Sequence, residues 1–435
     1  MPIDNEQRSG LSFLNDRLIA GALAALALAY ALFMLLGLRA RVGHYDFSTF
    51  YIWSSALRAG LNPFHSHSDV DAMVSALHLQ SAGLQVTVVE GTKSGLPLDS
   101  YTPIFLLLFE PLTLLGTAGA YWTWTFINAG LFGATLFLLF GRAPRLSTAA
   151  KISLASLAIL YPPLGQNFFW GQAQIPLLFL IVVAMRCLES GRDAAAGLAI
   201  ALAGLIKVFP LAVLPYLALR RRWRAIGYTI AGLATGGIVS LVMVGPERSI
   251  DFVASYAGRS FFNDERFSMS IGSHVWRLHH LLTGNMAQIS SVEAFTIASI
   301  AGVVMIVLAA LATRRESSPS ATTDPAFGLW IAAIVLLTPT SWLVYLVFLI
   351  VPYAQLAFSI DRFSAPRRAV WLGIASYAVA ELAPRAAHLF NPGGSPAIAM
   401  FWQEVYALSA VLAFASAYYL AMDLAAASQP SMKQA

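Results

Sequence analysis

The chain has 435 residues, of which 58% are hydrophobic and only 11% charged, and its formal net charge is +5. Because a soluble domain carries about 25% charged residues, this composition excludes a soluble protein, a disordered chain and a coiled coil. The positive charges lie mainly in short segments between long apolar runs, which is typical of membrane topology and not of nucleic-acid binding. The single cysteine, Cys187, excludes an internal disulfide.

The first apolar run, residues 18–38, is long enough to cross a bilayer. A stretch that is too polar to span, residues 39–100, follows it. Within this stretch, aromatic and apolar residues recur at helical spacing from Phe47 to Leu57, and Arg58 and Gly60 indicate the end of a helix. We predict that this helix is amphipathic and lies on the membrane surface.

Further apolar segments lie between residues 103 and 424, and two of them are irregular. Residues 103–115 are too few to cross upright and are interrupted at Glu110-Pro111, which predicts a re-entrant or strongly tilted segment. Residues 194–219 exceed one simple span and contain Lys207, Pro210 and Pro215. We predict two short half-helices with Lys207 near the turn, an arrangement that is tolerated where broken helices line a cavity.

These segments predict an all-α polytopic membrane protein with about 10 to 12 membrane segments. We expect a single integral membrane domain over residues 1–425 and a flexible cytoplasmic tail over residues 426–435. The positive-inside rule places the basic clusters between spans in the cytoplasm. The polar stretches 39–100, 246–292 and 385–400 then share the opposite, periplasmic side.

Asp46 is the first candidate for chemistry and occurs in the sequence His44-Tyr45-Asp46-Phe47. A carboxylate at the membrane surface suits a general base that acts on a polar acceptor beside a lipid-linked donor. The alternative is that Asp46 caps the helix that begins at Phe47.

Lys207 is the second candidate, because a lysine within an apolar run is costly and usually faces a cavity or an anionic partner. A phosphate is a natural partner for an ammonium in a lipid-exposed groove. The alternative is a lysine that snorkels to the interface from a short helix.

Two further groups of polar residues could bind substrate. Residues 165–174 carry four amides and two glycines between apolar segments. Amides such as Gln172 and Gln174 could bind sugar hydroxyls. The alternative is a polar turn that satisfies helix ends.

Residues 259–280 include Arg266, His274 and Arg277, and an arginine there could hold a phosphate. The alternative for these charges is a solvated surface.

Residues 65–71 place histidine and aspartate at alternate positions, which could converge on a metal ion in an extended strand. Histidines in polar loops are more often simply solvated. We therefore expect no metal.

Several short motifs, taken together, resemble one family. They are Tyr101-Thr102-Pro103-Ile104-Phe105, Glu110-Pro111-Leu112, Gly171-Gln172, Gly191-Arg192-Asp193, Leu205-Ile206-Lys207-Val208-Phe209-Pro210, Arg220-Arg221-Arg222-Trp223-Arg224 and Pro339-Thr340-Ser341-Trp342. With Asp46 and the ending Leu61-Asn62-Pro63-Phe64, they resemble glycosyltransferase family 87, of the membrane-embedded GT-C type. This family includes bacterial polyprenyl-phosphate-mannose-dependent mannosyltransferases and arabinofuranosyltransferases.

The resemblance implies an inverting, metal-independent sugar transfer on the periplasmic face, with no cofactor and with Asp46 as the base. The sequence departs from the family at two places. Family members often carry histidine just after the tryptophan of the last block, whereas Leu343-Val344-Tyr345 follows Trp342 here, so that Tyr345 is at best a partial substitute. The family's Tyr-Pro-Pro block also reads Tyr-Thr-Pro.

The resulting hypothesis is a transferase of the bacterial inner membrane that moves a mannose-like or arabinofuranose-like sugar from a polyprenyl phosphate to a glycolipid or polysaccharide acceptor. Its partners are these two substrates and membrane lipid, without nucleic acid. Lys207, with Arg266 or Arg277, would pair the phosphate. The side chains expected to bind sugar or acceptor are His44, Tyr101, Gln172, Gln174, His274, Trp342 and Tyr345. The alternatives are a flippase for lipid-linked sugars, and an O-antigen polymerase or ligase that uses a diphosphate-linked donor.

Overall fold

The computed structural model describes residues 16–42, 45–64, 101–141, 146–257, 268–283, 291–315, 324–338, 341–363, 365–390 and 396–427. Across these residues the chain is helical and contains no strand, which confirms the all-α prediction. The α-helices are α1 Arg17–Leu38, α2 Tyr45–Arg58, α3 Pro103–Phe109, α4 Gly116–Leu136, α5 Thr148–Leu160, α6 Pro162–Trp170, α7 Gln174–Glu189, α8 Asp193–Ile206, α9 Leu214–Leu219, α10 Trp223–Met243, α11 Pro246–Ala257, α12 Ile271–Thr283, α13 Ser291–Arg315, α14 Pro325–Leu337, α15 Ile350–Phe363, α16 Arg367–Phe390 and α17 Pro396–Ala427.

Within the described residues, six helical segments are long and apolar enough to cross a membrane. They are Arg17–Arg41, Pro103–Gly141, Trp223–Met243, Thr296–Arg314, Leu343–Ile360 and Glu404–Asp423. Four shorter apolar helices accompany them, namely Thr148–Leu160, Asp193–Ile206, Phe209–Leu219 and Pro325–Leu337. The chain is therefore a multi-pass membrane protein, in which α1 presents leucines outward and α14 is enclosed along almost its whole length.

The break between α8 and α9 lies at Lys207, as predicted. Lys207 leaves the helix with extended backbone angles (φ −152°, ψ 137°), and a 3-10 turn, Phe209–Val213, precedes α9. A helix that ends inside the protein leaves carbonyls that need donors. Thr102 supplies them, because its N–H donates to Ile206 O at 3.4 Å and its hydroxyl donates to Leu205 O.

The segment 103–115 also breaks where the sequence indicates. α3 ends at Phe109 and a 3-10 helix, Glu110–Leu115, carries Pro111 at its start. Gly116, with φ +68°, then redirects the chain into α4, a backbone conformation that glycine adopts without steric cost.

The prediction that α2 lies on the membrane surface was wrong. Every side chain from Phe47 to Leu57 is buried, including the serines and the threonine of the more polar face. Phe50 packs edge-on against Phe105 and Trp124, at centroid distances of 4.9 Å and 6.3 Å. Small hydroxyl side chains pack closely between helices in membrane proteins, so a moderately polar face does not need water.

The polar stretches around residues 39–100 and 246–292 meet in the folded chain. Asn62 donates a hydrogen bond to Asp251 at 2.7 Å, and Arg248 donates to the carbonyl of Gly60. The rings of Phe64 and Phe252 pack edge-on at 5.5 Å. The end of α2 and the start of α11 therefore lie at the same end of the helices.

Candidate functional site

Five separate segments bring their side chains together around Lys207. Asp46 comes from the first turn of α2, Tyr101 from the residues ahead of α3, Gln172 from the turn between α6 and α7, Lys207 from the break after α8, and Tyr345 from the 3-10 helix Leu343–Leu349. All five were candidates from the sequence.

A chain of hydrogen bonds holds the Asp46 carboxylate. The phenol of Tyr101 donates to Gln172 Oε1 at 2.9 Å, and the Gln172 amide N–H donates to Asp46 Oδ2. Because the amide oxygen is already engaged by the phenol, the amide nitrogen must face the carboxylate. The carboxylate is therefore oriented by a side chain that is itself oriented by Tyr101. Asp46 is the second residue of α2 and not its N-cap, which disfavours the capping alternative.

The turn that carries Gln172 depends on Gly171. Gly171 ends α6 in the left-handed region (φ +66°), and the Gln172 N–H donates back to Asn167 O at 2.9 Å, as in a Schellman motif. The indole of Trp124 donates to Gly171 O at 2.8 Å. A Cβ at Gly171 would lie 2.6 Å from Phe47 Cβ, so the turn packs directly against the start of α2.

Residues 165–174 are not a polar turn throughout. Gly165 to Trp170 belong to α6, and only Gly171 to Ala173 connect it to α7. The buried amide of Asn167 donates to Pro163 O and to Val344 O, both at 2.8 Å. This amide joins α6 to the 3-10 helix that carries Tyr345.

Lys207 is buried, with 8% of its surface exposed, which contradicts the snorkelling alternative. Its ammonium lies 4.4 Å from the ring centroid of Tyr101 and 5.0 Å from that of Tyr345. Aromatic faces attract a cation, and the negative end of the α8 dipole points at the same place. A buried ammonium held in this way is a suitable partner for a phosphate.

Burial raises the pKa of the Asp46 carboxyl to about 7, while the charge of Lys207 and the hydrogen bond from Gln172 act in the opposite direction. α2 lies outside the six candidate spans. A base works best when its pKa is close to the working pH, so Asp46 is suited to accept a proton near neutrality.

Gln174 and Trp342 lie close in the chain to Gln172 and Tyr345 of this group. Gln174 begins α7 and is fully buried, and neither polar atom of its amide has a hydrogen-bond partner in the described part of the chain. Trp342 packs edge-on against Trp170 at 5.5 Å. The preceding residue, Ser341, accepts a hydrogen bond at its carbonyl from the N–H of Met269.

His274 and Arg277 belong to a second cluster. Both contact Glu404 at the start of the last candidate span, and Arg277 is completely buried. Sequence reasoning missed Glu404, although a carboxylate at the start of an apolar run was a signal. It also missed the role of Thr102, which stands where the Tyr-Pro-Pro block has proline. The N–H and the hydroxyl of Thr102 donate to the last carbonyls of α8.

Several predicted residues lie outside the described residues, namely His44, Arg266, the histidine-rich residues 65–71 and the tail from residue 428. In the described ranges, no group of three or more His, Cys, Asp or Glu side chains is placed to hold a metal ion.

One known family matches a large part of the chain. The model of glycosyltransferase family 87 matches residues 100–339, which is more than half of the chain and includes Tyr101, Gln172 and Lys207. A search of curated proteins found no match. From the extent of the family match we conclude that the chain belongs to glycosyltransferase family 87.

Proposed function

We propose that this glycosyltransferase moves a sugar from a polyprenyl-phosphate donor to a glycolipid or polysaccharide acceptor at the extracytoplasmic face of the bacterial inner membrane. The observation that carries the proposal is the placement of Asp46 and Lys207 on the two sides of Tyr101. The Lys207 ammonium lies 4.4 Å from the Tyr101 ring, and the Tyr101 phenol binds the Gln172 amide that holds the carboxylate. A glycosyl transfer needs a base for the acceptor hydroxyl and a positive charge for the leaving phosphate, and Asp46 and Lys207 are suited to these two roles.

In the proposed reaction, Asp46 accepts the proton of an acceptor hydroxyl as its oxygen attacks C1 of the sugar. The bond from C1 to the phosphate oxygen breaks on the opposite face, which inverts the configuration through an oxocarbenium-like transition state. The polyprenyl phosphate leaves with the bonding electrons, and Lys207 stabilises its charge. We expect no metal requirement, because Lys207 supplies the positive charge.

The remaining side chains take roles that suit their contacts. Gln172 and Tyr101 orient Asp46, and we assign Gln174, Trp342 and Tyr345 to the sugar. The buried amide of Gln174 has donors and an acceptor available for hydroxyl groups. Arg277 is bound to Glu404 and Ser268, so Lys207 is the main partner proposed for the phosphate.

The proposed membrane face rests on the two ends of α8. Lys207 follows its last residue, whereas Arg192 precedes its first, so about 21 Å of helix separates them at 1.5 Å per residue. Near Arg192, Arg222 binds Asp193, and this basic end is the one that the positive-inside rule assigns to the cytoplasm. The end with Asp46 and Lys207 is then extracytoplasmic.

The test uses the purified chain in lipid nanodiscs with radiolabelled polyprenyl-phosphate sugars and an acceptor extract of bacterial membranes. Asp46→Asn should abolish transfer and keep donor binding, whereas Lys207→Ala should weaken donor binding at least tenfold, because a charge-assisted contact is lost. The matched control is Asp251→Asn, which removes a carboxylate at the same end of the helices. Asp251 binds Asn62, and the variant should remain active.

Near-normal transfer by Asp46→Asn would remove Asp46 from the mechanism. If the wild type transferred no sugar but moved labelled lipid across the bilayer of sealed proteoliposomes, the chain would act as a flippase. Transfer only from polyprenyl-diphosphate sugars would indicate the polymerase or ligase alternative.

A further inference from the structure

A carboxylate, an imidazole and a guanidinium form a compact cluster at the start of the last candidate span. Glu404 Oε2 lies 2.5 Å from His274 Nδ1, and Glu404 Oε1 accepts a hydrogen bond from Arg277 Nε. Arg277 is completely buried and also donates from Nη1 to Ser268 O at 2.6 Å. The cluster therefore ties α12 to α17 and to the residues that precede α12.

The cluster determines which ring nitrogen of His274 carries the proton. A carboxylate that pairs with a buried arginine is ionised and only accepts hydrogen bonds. His274 Nδ1 lies 2.5 Å from Glu404 Oε2 and 3.2 Å from Arg277 Nη2, and we assign the proton to Nδ1 because the contact with the carboxylate is the shorter one. In the neutral imidazole, Nε2 then has a free lone pair and is a hydrogen-bond acceptor.

This acceptor atom has nothing to bind in the described part of the protein. His274 Nε2 is enclosed and has no hydrogen-bond partner there. Buried polar atoms without partners are rare in folded proteins and call for an explanation, such as a ligand. An imidazole that a carboxylate orients, with its other nitrogen unoccupied, is an arrangement that binds or deprotonates hydroxyl groups.

A short stretch of chain and one hydrogen bond connect His274 to the segment that carries Trp342 and Tyr345. Met269, which lies five residues before His274, donates its N–H to Ser341 O. Trp342 follows Ser341, and its carbonyl accepts a hydrogen bond from the N–H of Tyr345 at 2.8 Å. The ring of Tyr345 lies against Lys207.

We propose that His274 Nε2 accepts a hydrogen bond from a hydroxyl of the sugar acceptor, and that Glu404 holds the imidazole in the required tautomer. The ligand class is a polyhydroxylated group, either a sugar or a polyol. This inference rests on the proposed function, since it identifies the acceptor side of the same site. His274 binds a hydroxyl that does not react, and Asp46 remains the base.

Two substitutions of His274 separate a binding role from a structural role. In His274→Asn the amide retains a donor near the position of Nδ1, so the contact with Glu404 is kept while Nε2 is lost. In His274→Gln the longer side chain places an amide oxygen near the position of Nε2 and gives up the contact with Glu404. A structural role predicts that the Gln variant is the more damaged; a binding role predicts the reverse.

The experiment is saturation-transfer NMR on the full chain in lipid nanodiscs, with methyl glycosides of mannose, glucose, galactose and arabinofuranose as probes. We expect the wild type to bind at least one glycoside, His274→Asn to bind it about tenfold more weakly, and His274→Gln to retain most of the affinity, because one hydrogen bond is at stake. Thermal unfolding should show His274→Asn to be as stable as the wild type.

Wild-type affinity in His274→Asn would overturn the proposal, and so would the absence of glycoside binding by the wild type. Asp251→Asn, the control variant outside the proposed site, should bind the glycoside normally. This binding measurement does not depend on sugar transfer, so failure of the acceptor site and failure of the proposed reaction give different results.

Discussion

Gly171 packs against Phe47, the residue that follows Asp46, so closely that a Cβ on Gly171 would lie 2.6 Å from Phe47 Cβ. This contact places the turn that carries Gln172 beside the first turn of α2. The position of Asp46, the proposed base, therefore depends on having glycine at position 171, which is 125 residues later in the sequence.

We predict that Gly171→Ala displaces α2 and lowers kcat about 100-fold, because a shift of about 1 Å in a catalytic group has effects of that size. Gly191→Ala is the matched control. Gly191 has nearly the same backbone angle (φ +68°), but nothing lies within 4 Å of its Cβ position. In both variants alanine must adopt the left-handed backbone conformation, which lowers the free energy of unfolding by about 1 kcal/mol. Thermal unfolding measures this loss of stability. Equal transfer rates in the two variants would show that the contact with Phe47 does not position Asp46.

The pH dependence of transfer should show an acid limb near pH 7. Burial raises the pKa of Asp46 to about 7, and only the carboxylate form accepts a proton, so activity should fall as the pH drops below this value. Lys207 lowers the pKa of Asp46, so the limb should move to higher pH in the residual activity of Lys207→Gln. The measurement is kcat/KM against pH from 5 to 9, about two units either side of the expected limb. A rate that stays constant from pH 5 to 9 would contradict the assignment.

Thr102 should be important for stability and for the position of Lys207. Thr102→Val keeps the side-chain shape and removes the hydroxyl that donates to Leu205 O, which leaves a carbonyl at the end of α8 without that donor. We expect a loss of about 1 to 3 kcal/mol and weaker donor binding. Thr102→Ser retains the hydroxyl and should behave nearly as the wild type in thermal unfolding and in donor titration. Equal stability of the Val and Ser variants would show that the hydroxyl contributes little.

Tyr101 combines two functions that substitutions can separate. Tyr101→Phe keeps the ring beside Lys207 but removes the donor to Gln172, so the amide can turn its oxygen towards Asp46. We expect kcat to fall about tenfold, the cost of one charge-assisted hydrogen bond, with donor affinity unchanged. Tyr101→Leu also removes the ring, and donor affinity should fall as well. If the Phe variant lost donor affinity and kept kcat, the assigned roles would be reversed.

Local signals in the sequence predicted the helix breaks well. The prolines at 210 and 215 and the charge at Lys207 indicated the break after α8, and Glu110-Pro111 indicated the end of α3. Such signals act within a few residues, through backbone geometry and missing N–H donors, so no distant contact is needed to read them.

The location of α2 could not be read in this way. Protein interior and lipid are similarly apolar, so hydropathy does not distinguish a helix face that contacts lipid from one that contacts other helices. The same limit applies to Arg277, whose partner Glu404 lies 127 residues away. A phosphate and a carboxylate are both suitable partners for an arginine, and only the fold shows that Glu404 occupies this position.

The sequence alone determined that the chain is a multi-pass, all-α membrane protein, and it identified Asp46 and Lys207 as unusual charges. Composition and periodicity suffice for these conclusions, because the cost of a charge among apolar residues is local. The tertiary structure decided which charges meet: it joins Asp46 to Gln172 across 126 residues and places both beside Lys207. Contacts between distant segments arise from the packing of whole helices, and the pattern within any one segment does not contain that information.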